Sequence, residues 1–413
     1  MLIRGRVALL ILTGTLVSMQ ARADDDVHGR IEVQELGAFA RSDSLDASLG
    51  ARDRSDLSGN IRLTWEPSWD RWSVTVHYVI ASDDGDGVRL AREEAGLLPA
   101  PPSTWFNLTN VFGDSGDVRN TQSIDRLSIA YATPDFVVRV GRQALTWGGG
   151  FVFRPMDLFD PFSPSATDTE FKPGTDMVYA QWLFGDGSDL QAIAVPRPVV
   201  KGAQPSADAS SIALHYRTAI GELEVTSLVA RDHGDWTAAL ELSGPFRGAT
   251  WDIELVPTVL RAGPVRISAL ANISVAATLF DKNATLFAEY FHNGFGTTNG
   301  NATFASLPPE LVDRLTRGQV FNVRQNYLAA GLTLEWTPLL NLSPTLIADA
   351  DDGSIYALAS ATYSLSDNLT LIAGAQFPIG TNNSEFGGLP LSASNTATIG
   401  ASQQIYLQIR SYF

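Results

Sequence analysis

The chain has no cysteine, little charge and no long apolar run after its first residues. The absence of Cys among 413 residues excludes a disulfide framework, a thiol nucleophile, a thiolate zinc site and an iron–sulfur cluster. The only extended apolar run begins at Val7, which excludes a bundle of helices that each need about 20 apolar residues to span a membrane. Yet 45% of the residues are hydrophobic and only 18% are charged, a balance too apolar for a disordered chain.

Positive charge is scarce. The chain has 29 Lys and Arg residues against 45 Asp and Glu residues, a net charge of −16. Nucleic-acid binding depends on a basic surface, so we expect no nucleic-acid partner. Cationic and neutral partners remain compatible with the composition.

The first residues carry a targeting signal. Arg4 and Arg6 precede an apolar core that runs from Val7 to Val17, and an Ala-x-Ala site ends at Ala23. This pattern is typical of a cleaved secretory signal peptide, because the core is too short to span a bilayer. We predict a signal peptide over 1–23 and a single mature domain over 24–413. A secreted chain without cysteine and without a later helical span indicates a bacterial envelope.

Apolar and polar residues alternate along the mature chain. Trp251, Ile253 and Leu255, for example, alternate with Asp252 and Glu254, a period of two that predicts β-strands. We predict eighteen strands, with sixteen as the alternative. The ranges are 27–40, 56–66, 72–81, 123–132, 136–146, 176–183, 189–196, 210–218, 222–231, 235–243, 250–260, 265–279, 284–293, 325–337, 345–350, 354–364, 368–377 and 404–413.

The predicted connections are sorted by length. Tight turns at 67–71, 133–135, 185–188, 219–221 and 366–367 alternate with longer links that include 82–122, 147–175, 294–324 and 378–403. A transmembrane β-barrel has short periplasmic turns and long external loops, and it places aromatic girdles at both membrane interfaces. Eight tryptophans lie near predicted strand ends or turns: Trp65, Trp69, Trp72, Trp147, Trp182, Trp236, Trp251 and Trp336. We therefore predict an all-β protein, a transmembrane antiparallel β-barrel.

The last segment of the chain is a strand that ends on Phe413. Ile405, Leu407, Ile409 and Phe413 share one face, and the segment resembles the last strand of Gram-negative outer-membrane proteins. That resemblance implies a location in the bacterial outer membrane, in contact with its lipid and lipopolysaccharide. It also implies that the barrel assembly machinery reads Phe413 as an assembly signal.

A second resemblance lies at residues 140–164, which run from Val140 through three consecutive glycines to Pro164. This stretch resembles a strand and loop of porin-like outer-membrane proteins related to the alginate-export type. The resemblance implies a passive or substrate-selective pore and does not supply a substrate.

If the apolar faces contact lipid, the opposite faces line the lumen. The predicted lumen-facing residues are Arg62, Glu66, Arg126, Arg139, Gln143, Glu224, Glu241, Asp252, Glu254, Glu289, Glu335 and Arg410. An eighteen-stranded barrel is wide enough for water, so any polar lumen could carry such groups. Alternatively, the excess of acidic groups forms a filter that concentrates cations, with opposed arginines setting a transverse field.

The link at 147–175 is the best candidate for a constriction. It is long and aromatic, it is stiffened by proline, and its glycines at 148–150 allow a sharp turn. It follows the fifth strand, as folded-in loops do in the general porins that it resembles; the alternative is an external cover over the mouth. The predicted constriction residues are Arg154, Asp157, Asp160, Asp168, Glu170, Lys172 and Asp176.

We expect neither a resident metal nor a cofactor. The acidic tips at 83–86 and 349–352 offer oxygen ligands, but neither completes a calcium-binding loop, and we interpret them as solvated turns. The five histidines are scattered and no H-E-x-x-H or G-x-S-x-G motif is present. These absences indicate a protein that is not an enzyme.

The sequence thus predicts a porin-like, cation-preferring channel that passes small polar or charged solutes by diffusion through a water-filled lumen. One alternative is a plugged barrel that exports or transfers a larger or apolar substrate with periplasmic partners. Another is a structural or adhesion barrel whose loops bind a surface ligand. The sequence leaves the oligomeric state open.

Overall fold

The computed structural model describes residues 27–95, 103–261, 263–400 and 402–413; the predicted signal peptide lies outside the described residues. Eighteen strands, β1 to β18, follow one another around a single sheet. They span Val27–Phe39, Asp53–Trp65, Trp72–Gly85, Val118–Ala132, Phe136–Gln143, Thr175–Leu183, Asp189–Val195, Ser211–Ile220, Leu223–Asp232, Asp235–Phe246, Ala249–Val259, Val265–Leu279, Lys282–His292, Asn326–Thr337, Leu340–Asp349, Ile355–Ser366, Leu369–Ile379 and Gln403–Tyr412.

The sheet closes on itself. Every strand pairs antiparallel with its neighbours in the chain, and β1 pairs with β18 as well as with β2, in a register that sets Val33 opposite Ile409. The backbone of Phe413 exchanges two hydrogen bonds with Gly29 beside this seam. The predicted fold, a closed barrel of eighteen strands, is confirmed, and the sixteen-strand alternative is wrong.

Several strands are longer than the sequence predicts. β2 begins three residues earlier, β3 runs on to Gly85, β4 begins at Val118 and β15 begins at Leu340. The extensions of β2, β3 and β4 are mainly polar, as turns often are, whereas the extension of β15 contains Leu340, Leu342 and Pro344. In the barrel they continue the ladder of hydrogen bonds, with Asp83 opposite Arg119.

The two faces of the wall have opposite chemistry. On β11, Ile253 and Leu255 are each 49% exposed on the outside, whereas Asp252 and Glu254 point inwards and are buried. An apolar exterior around a polar interior is the pattern of a barrel whose outer wall faces lipid. The alternation predicted from the sequence therefore corresponds to the two sides of the wall.

Short turns join the strands at one end and long connections join most of them at the other. The long connections contain three helices, α1 (Leu45–Ser48), α2 (Asp86–Glu93) and α3 (Pro309–Thr316), and a 3₁₀ turn at Phe304–Ser306. They also contain short strand segments at Thr109–Ser115, Leu389–Pro390 and Thr398–Ile399, while Ser68–Trp69 lies in a turn at the other end. No helix in the described ranges is long and apolar enough to cross a membrane.

The buried apolar core lies inside the barrel, where the connection between β5 and β6 packs against the wall. One cluster joins Trp147, Met156 and Phe159 to Val195 and Leu228 of the wall. A second joins Phe153 to wall side chains that include Phe291 and Tyr327. Trp147, which the sequence grouped with the interfacial tryptophans, is therefore buried in the lumen. The connection between β5 and β6 is an internal element.

Candidate functional site: a constriction in the lumen

The predicted constriction loop, 147–175, enters the lumen directly after β5. The indole ring of Trp147 stacks on the His215 ring of β8 with 4.9 Å between centroids and 7° between planes. Further along, the Phe153 ring stacks on Phe291 of β13 at 4.6 Å. These contacts place the beginning of the loop against the inner wall, as expected of a folded-in loop and not of an external cover.

The glycines at 148–150 bring the loop backbone onto a row of carboxylates. The N–H of Gly149 donates to Glu254 Oε1 at 2.8 Å. The N–H groups of Phe151, Val152 and Phe153 donate to Glu289 at 2.6, 3.1 and 2.8 Å. A single carboxylate thus accepts three backbone hydrogen bonds, which fixes this part of the loop to β13. We call the four inward carboxylates of β10, β11 and β13 the acid wall: Glu241, Asp252, Glu254 and Glu289.

The other end of the loop contacts basic side chains. We call the four inward arginines of β1, β2, β4 and β18 the arginine wall: Arg30, Arg62, Arg126 and Arg410. Arg30 pairs with Asp168 and with Glu170 at 2.8 Å each, and Arg410 lies 3.1 Å from Asp168. Here the loop supplies the carboxylates and the wall supplies the cations. The loop is therefore held on two different sides of the lumen.

An aromatic ring strengthens the contact with the arginine wall. The guanidinium groups of Arg30 and Arg62 lie 4.9 and 4.2 Å from the centroid of the Phe171 ring, within the range of a cation–π interaction. Burial of the Asp168 carboxyl is the largest single influence and opposes its ionisation. Hydrogen bonds from Arg30 and from the Glu170 N–H, together with the positive charges of Arg30 and Arg410, outweigh it and lower the pKa of Asp168. The negative charge that this contact needs is thus retained.

A buried ion pair connects the two halves of the loop. Lys172 Nζ lies 2.6 Å from a carboxylate oxygen of Asp157, and it also donates to the carbonyl of Leu145. Burial raises the pKa of Asp157 to about 6, against the attraction of Lys172, and burial lowers the pKa of Lys172.

The seven predicted constriction residues have different places. Asp168 and Glu170 meet the arginine wall, whereas Asp157 and Lys172 pair with each other. Arg154 Nε donates to the carbonyl of Gly150 at 3.1 Å, and Asp160 accepts a hydrogen bond from the Thr175 hydroxyl.

Asp176 is the exception among them. It belongs to β6 and pairs with Arg142 of β5 at 2.8 Å. Both occupy the same alternating positions as Val140 and Val178, whose side chains are exposed on the outer face. The segment that contains Phe106 lies against the pair, and the Phe106 N–H donates to the Asp176 carboxylate. Asp176 also lines, together with Leu158 and Asp160 of the loop, a cavity of about 100 Å³.

The twelve predicted lumen residues all fall on the inward alternation of their strands or, for Glu66, directly after one. Glu66 accepts from the inward-facing His77, and Glu224 pairs with Arg217 of β8 at 3.6 Å. The inward set comprises Arg62, Glu66, Arg126, Arg139, Gln143, Glu224, Glu241, Asp252, Glu254, Glu289, Glu335 and Arg410.

Three charged residues at this site were not among those predicted from the sequence. They are Arg30, which belongs to the arginine wall, and Glu32 and Asp125, which pair with its arginines. Glu32 lies 2.6 Å from Arg410, and Asp125 lies 2.7 Å from Arg62 and 3.1 Å from Arg126. Arg30 and Glu32 alternate with Ile31 and Val33, so the period of two could have identified them. Asp125 had no such signal, because it is the extra residue of a bulge in β4.

The open space around the loop is divided. Cavities of about 50, 100 and 320 Å³ lie between the loop, the wall and the connection that contains α3. The largest is lined by apolar side chains that include Phe321 and Phe386, and by Glu385. Burial raises the pKa of Glu385 to about 7. The loop thus borders several separate cavities inside the barrel.

No protein-family model and no curated protein matches this sequence. Solved structures do. OccK5 (OpdH) of Pseudomonas aeruginosa is similar over 94% of this chain and 98% of its own, with 10% identity and a TM-score of 0.55. OccAB1 of Acinetobacter baumannii is similar over 96% and 99%, with 11% identity and a TM-score of 0.52.

Wzi of Escherichia coli, described as an outer-membrane protein involved in group 1 capsule assembly and as a carbohydrate-binding β-barrel, is also similar. The similarity covers 94% of this chain and 84% of the Wzi chain, with 10% identity and a TM-score of 0.55. At these identities the likeness shows the fold. That fold is a closed antiparallel β-barrel, in agreement with the predicted fold class. The finer resemblance to the alginate-export type is not shown by these matches.

Proposed function

We propose that the mature chain is a channel in the bacterial outer membrane that passes small polar or charged solutes by diffusion, with loop 147–175 as its constriction. The observation that carries this proposal is the attachment of the loop to the acid wall at one end and to the arginine wall at the other. Attachment at both ends sets a fixed opening inside a polar lumen. This function requires no catalytic group. The resemblance of residues 140–164 to alginate-export-type barrels covers β5 and the start of this loop, which agrees with a pore function.

We further propose that the channel prefers cations. The four arginines of the arginine wall pair with four carboxylates, Glu32, Asp125, Asp168 and Glu170, so this side is close to neutral. The four carboxylates of the acid wall form no ion pair with any basic side chain in the described ranges of the chain. An unbalanced negative wall raises the local concentration of cations.

Electrical recording from the refolded mature chain in a planar bilayer tests the channel proposal. We expect stepwise currents, and we expect larger steps from a variant in which residues 147–174 are replaced by a short glycine–serine linker. Heat-modifiable migration in gel electrophoresis serves as the control that both barrels are folded. Equal conductance of the two barrels would contradict the role assigned to the loop.

One observation favours a second candidate function, a plugged barrel that transfers a larger or apolar substrate with periplasmic partners. The loop lies against three separate cavities of about 50, 100 and 320 Å³, and the 320 Å³ cavity is lined largely by apolar side chains. A folded barrel that carries no current, but conducts once the loop is shortened, would favour this candidate over the open channel.

We also propose that the barrel assembly machinery recognises the last strand. The Phe413 ring covers Gly29 of β1, where an added Cβ would lie 2.2 Å from the ring, so this aromatic residue packs on the seam that closes the barrel. Phe413→Ala should lower the yield of folded barrel in the outer membrane. Phe246→Ala, which removes an exposed outer aromatic residue far from the seam in the chain, is the control and should leave the yield unchanged. Equal yields from both variants would contradict this proposal.

A further inference from the structure

We propose that Glu241, Asp252 and Glu254 form a binding site for a hard divalent cation, Ca²⁺, on the acid wall. The three carboxylates lie on the adjacent strands β10 and β11, where Glu241 is directly opposite Glu254. One oxygen from each residue lies within 4.8 Å of the other two. Ca²⁺ binds oxygen ligands at about 2.3–2.6 Å, so a single ion placed among these atoms reaches all three.

Three oxygens of the Asp252 and Glu254 carboxylates also lack a hydrogen-bond partner among the described residues. Both carboxylate oxygens of Asp252, and Oε2 of Glu254, are buried without a hydrogen bond within the described ranges. Asp252 is 5% exposed and Glu254 is fully buried. Buried carboxylates are costly unless a positive charge or hydrogen-bond donors compensate them, and no salt bridge compensates these three among the described side chains. A bound cation supplies the missing charge.

The glycine turn of the loop lies directly on the cluster. An added Cβ on Gly149 would lie 3.1 Å from both Asp252 Cγ and Glu241 Oε1, and one on Gly148 would lie 2.9 Å from Glu254 Oε1. Gly148 also has a φ of +87°, which disfavours any larger residue. Since the Gly149 N–H occupies Oε1 of Glu254, the oxygen left for the ion is Oε2. Glu241 is only half-buried, so water can complete the coordination from the lumen.

The three ligands all offer carboxylate oxygens, and this determines which metal ions the site can prefer. Three carboxylates without nitrogen or sulfur ligands favour hard cations such as Ca²⁺ over transition metals. Ca²⁺ also tolerates irregular geometry, whereas Mg²⁺ requires near-octahedral coordination and retains several waters. A bound Ca²⁺ would join the glycine turn of the loop to β10 and β11, and it would remove part of the negative charge of the acid wall.

Calorimetric titration of the refolded mature chain with CaCl₂ tests this site. Refolding in detergent without lipopolysaccharide, followed by treatment with a chelator, removes other sources of bound Ca²⁺. We expect one ion per chain, with a dissociation constant of about 10⁻⁴–10⁻³ M, the range of extracellular Ca²⁺ sites. In the variant Glu241→Gln/Asp252→Asn we expect binding to weaken by at least about tenfold, because two of three charged ligands are lost.

The matched control is Glu335→Gln, which neutralises an inward carboxylate that belongs to β14 and accepts from Asn283. It should bind Ca²⁺ like the unchanged protein. If the double variant does not fold, as judged by heat-modifiable migration, Asp252→Asn alone replaces it. Either of two results would overturn the site: no binding at about 10⁻² M Ca²⁺, tenfold above the expected range, or equal binding by the variants and the unchanged chain. Because calorimetry detects binding without current, its outcome is independent of the channel proposal.

Discussion

Loop 147–175 contacts the acid wall and the arginine wall in different ways. At the acid wall only the barrel contributes charged groups, whereas at the arginine wall both the barrel and the loop do. On the acid wall the loop offers backbone N–H groups, and the barrel offers the carboxylates of Glu254 and Glu289. On the arginine wall the loop offers the carboxylates of Asp168 and Glu170, and the barrel offers guanidinium groups. Only the second arrangement cancels charge, because backbone N–H groups are neutral.

One loop can thus be attached to two sides of the lumen, while the formal charges are paired on only one of those sides. Hydrogen bonds attach the glycine turn and ion pairs attach the other end, but the hydrogen bonds leave the acid wall with its formal negative charge. The proposed constriction depends on attachment at both ends of the loop, whereas the proposed ion preference depends on the charge that the acid wall leaves unpaired. Substitutions that release one end at a time should separate the two properties.

The largest effect should come from the acid wall. Glu289→Ala removes the acceptor of three backbone hydrogen bonds, and each buried donor left without a partner costs about 1–3 kcal/mol. We expect the turn to leave the wall and the single-channel conductance to rise clearly. Glu289→Gln keeps an acceptor oxygen and should raise the conductance less. Unaltered conductance in the alanine variant would show that this carboxylate does not hold the loop.

A smaller effect, and one on selectivity, should come from the arginine wall. The double variant Asp168→Asn/Glu170→Gln leaves Arg30 and Arg410 with only Glu32 as a charged partner. The uncompensated positive charge should shift the reversal potential in a salt gradient towards anions.

The control for this prediction is Asp160→Asn. It neutralises a carboxylate of the same loop that accepts from Thr175 and not from the arginine wall, and Asn tolerates the positive φ of 55° at this position. If both variants shift the reversal potential equally, the effect reflects the net charge of the loop and not the arginine wall.

The third prediction concerns the pH dependence of loop stability, which should come from Asp157, between the two attached ends. Burial raises the pKa of this carboxyl from an ordinary value of 3.8 to about 6, so the folded loop binds a proton more readily than a solvated one. The contribution of this group to loop stability is therefore complete below pH 3.8 and is lost as the pH rises through about 6. Hydrogen exchange of the loop amides, corrected for the intrinsic pH dependence of exchange, should show more protection at pH 5 than at pH 7.

The variant Asp157→Asn cannot titrate and should remove this part of the pH dependence. An equal change in corrected protection for the variant and the unchanged chain would assign the effect to another group.

The smallest effect should come from an aromatic side chain. Phe171→Leu removes a ring that lies between Arg30 and Arg62, a loss of about 0.5–2 kcal/mol. Phe151→Leu is the matched change at the acid wall, where the ring stacks on Phe287 with 4.7 Å between centroids and faces no cation. We expect only Phe171→Leu to speed hydrogen exchange around residues 168–172. Faster exchange there in both variants would argue against a specific cation–π contact.

The fold was largely predictable because apolar and polar residues alternate along each strand, and the two sets face lipid and lumen respectively. Asp252 and Glu254 alternate with apolar neighbours, and that alternation alone assigns them to the lumen. The predicted connection lengths likewise identified loop 147–175. Such signals are local, and they need no knowledge of which strands become neighbours.

The pairing within the site was not predictable, because its partners are far apart in the chain. Arg30 and Glu170 are separated by 140 positions, and no local pattern connects them. The pairing of Asp176 with Arg142 likewise depends on the register of β5 and β6, which no local pattern shows. The convergence of Glu241, Asp252 and Glu254 depends on the register of β10 and β11, which the sequence does not specify.

The reversal potential of the unchanged channel in a KCl gradient tests the central claim most directly. The claim is that the loop neutralises the arginine wall and leaves the acid wall unbalanced. We therefore predict a reversal potential on the side of cation preference, and a stronger preference after Ca²⁺ is removed with a chelator. A reversal potential that shows anion preference would contradict the account.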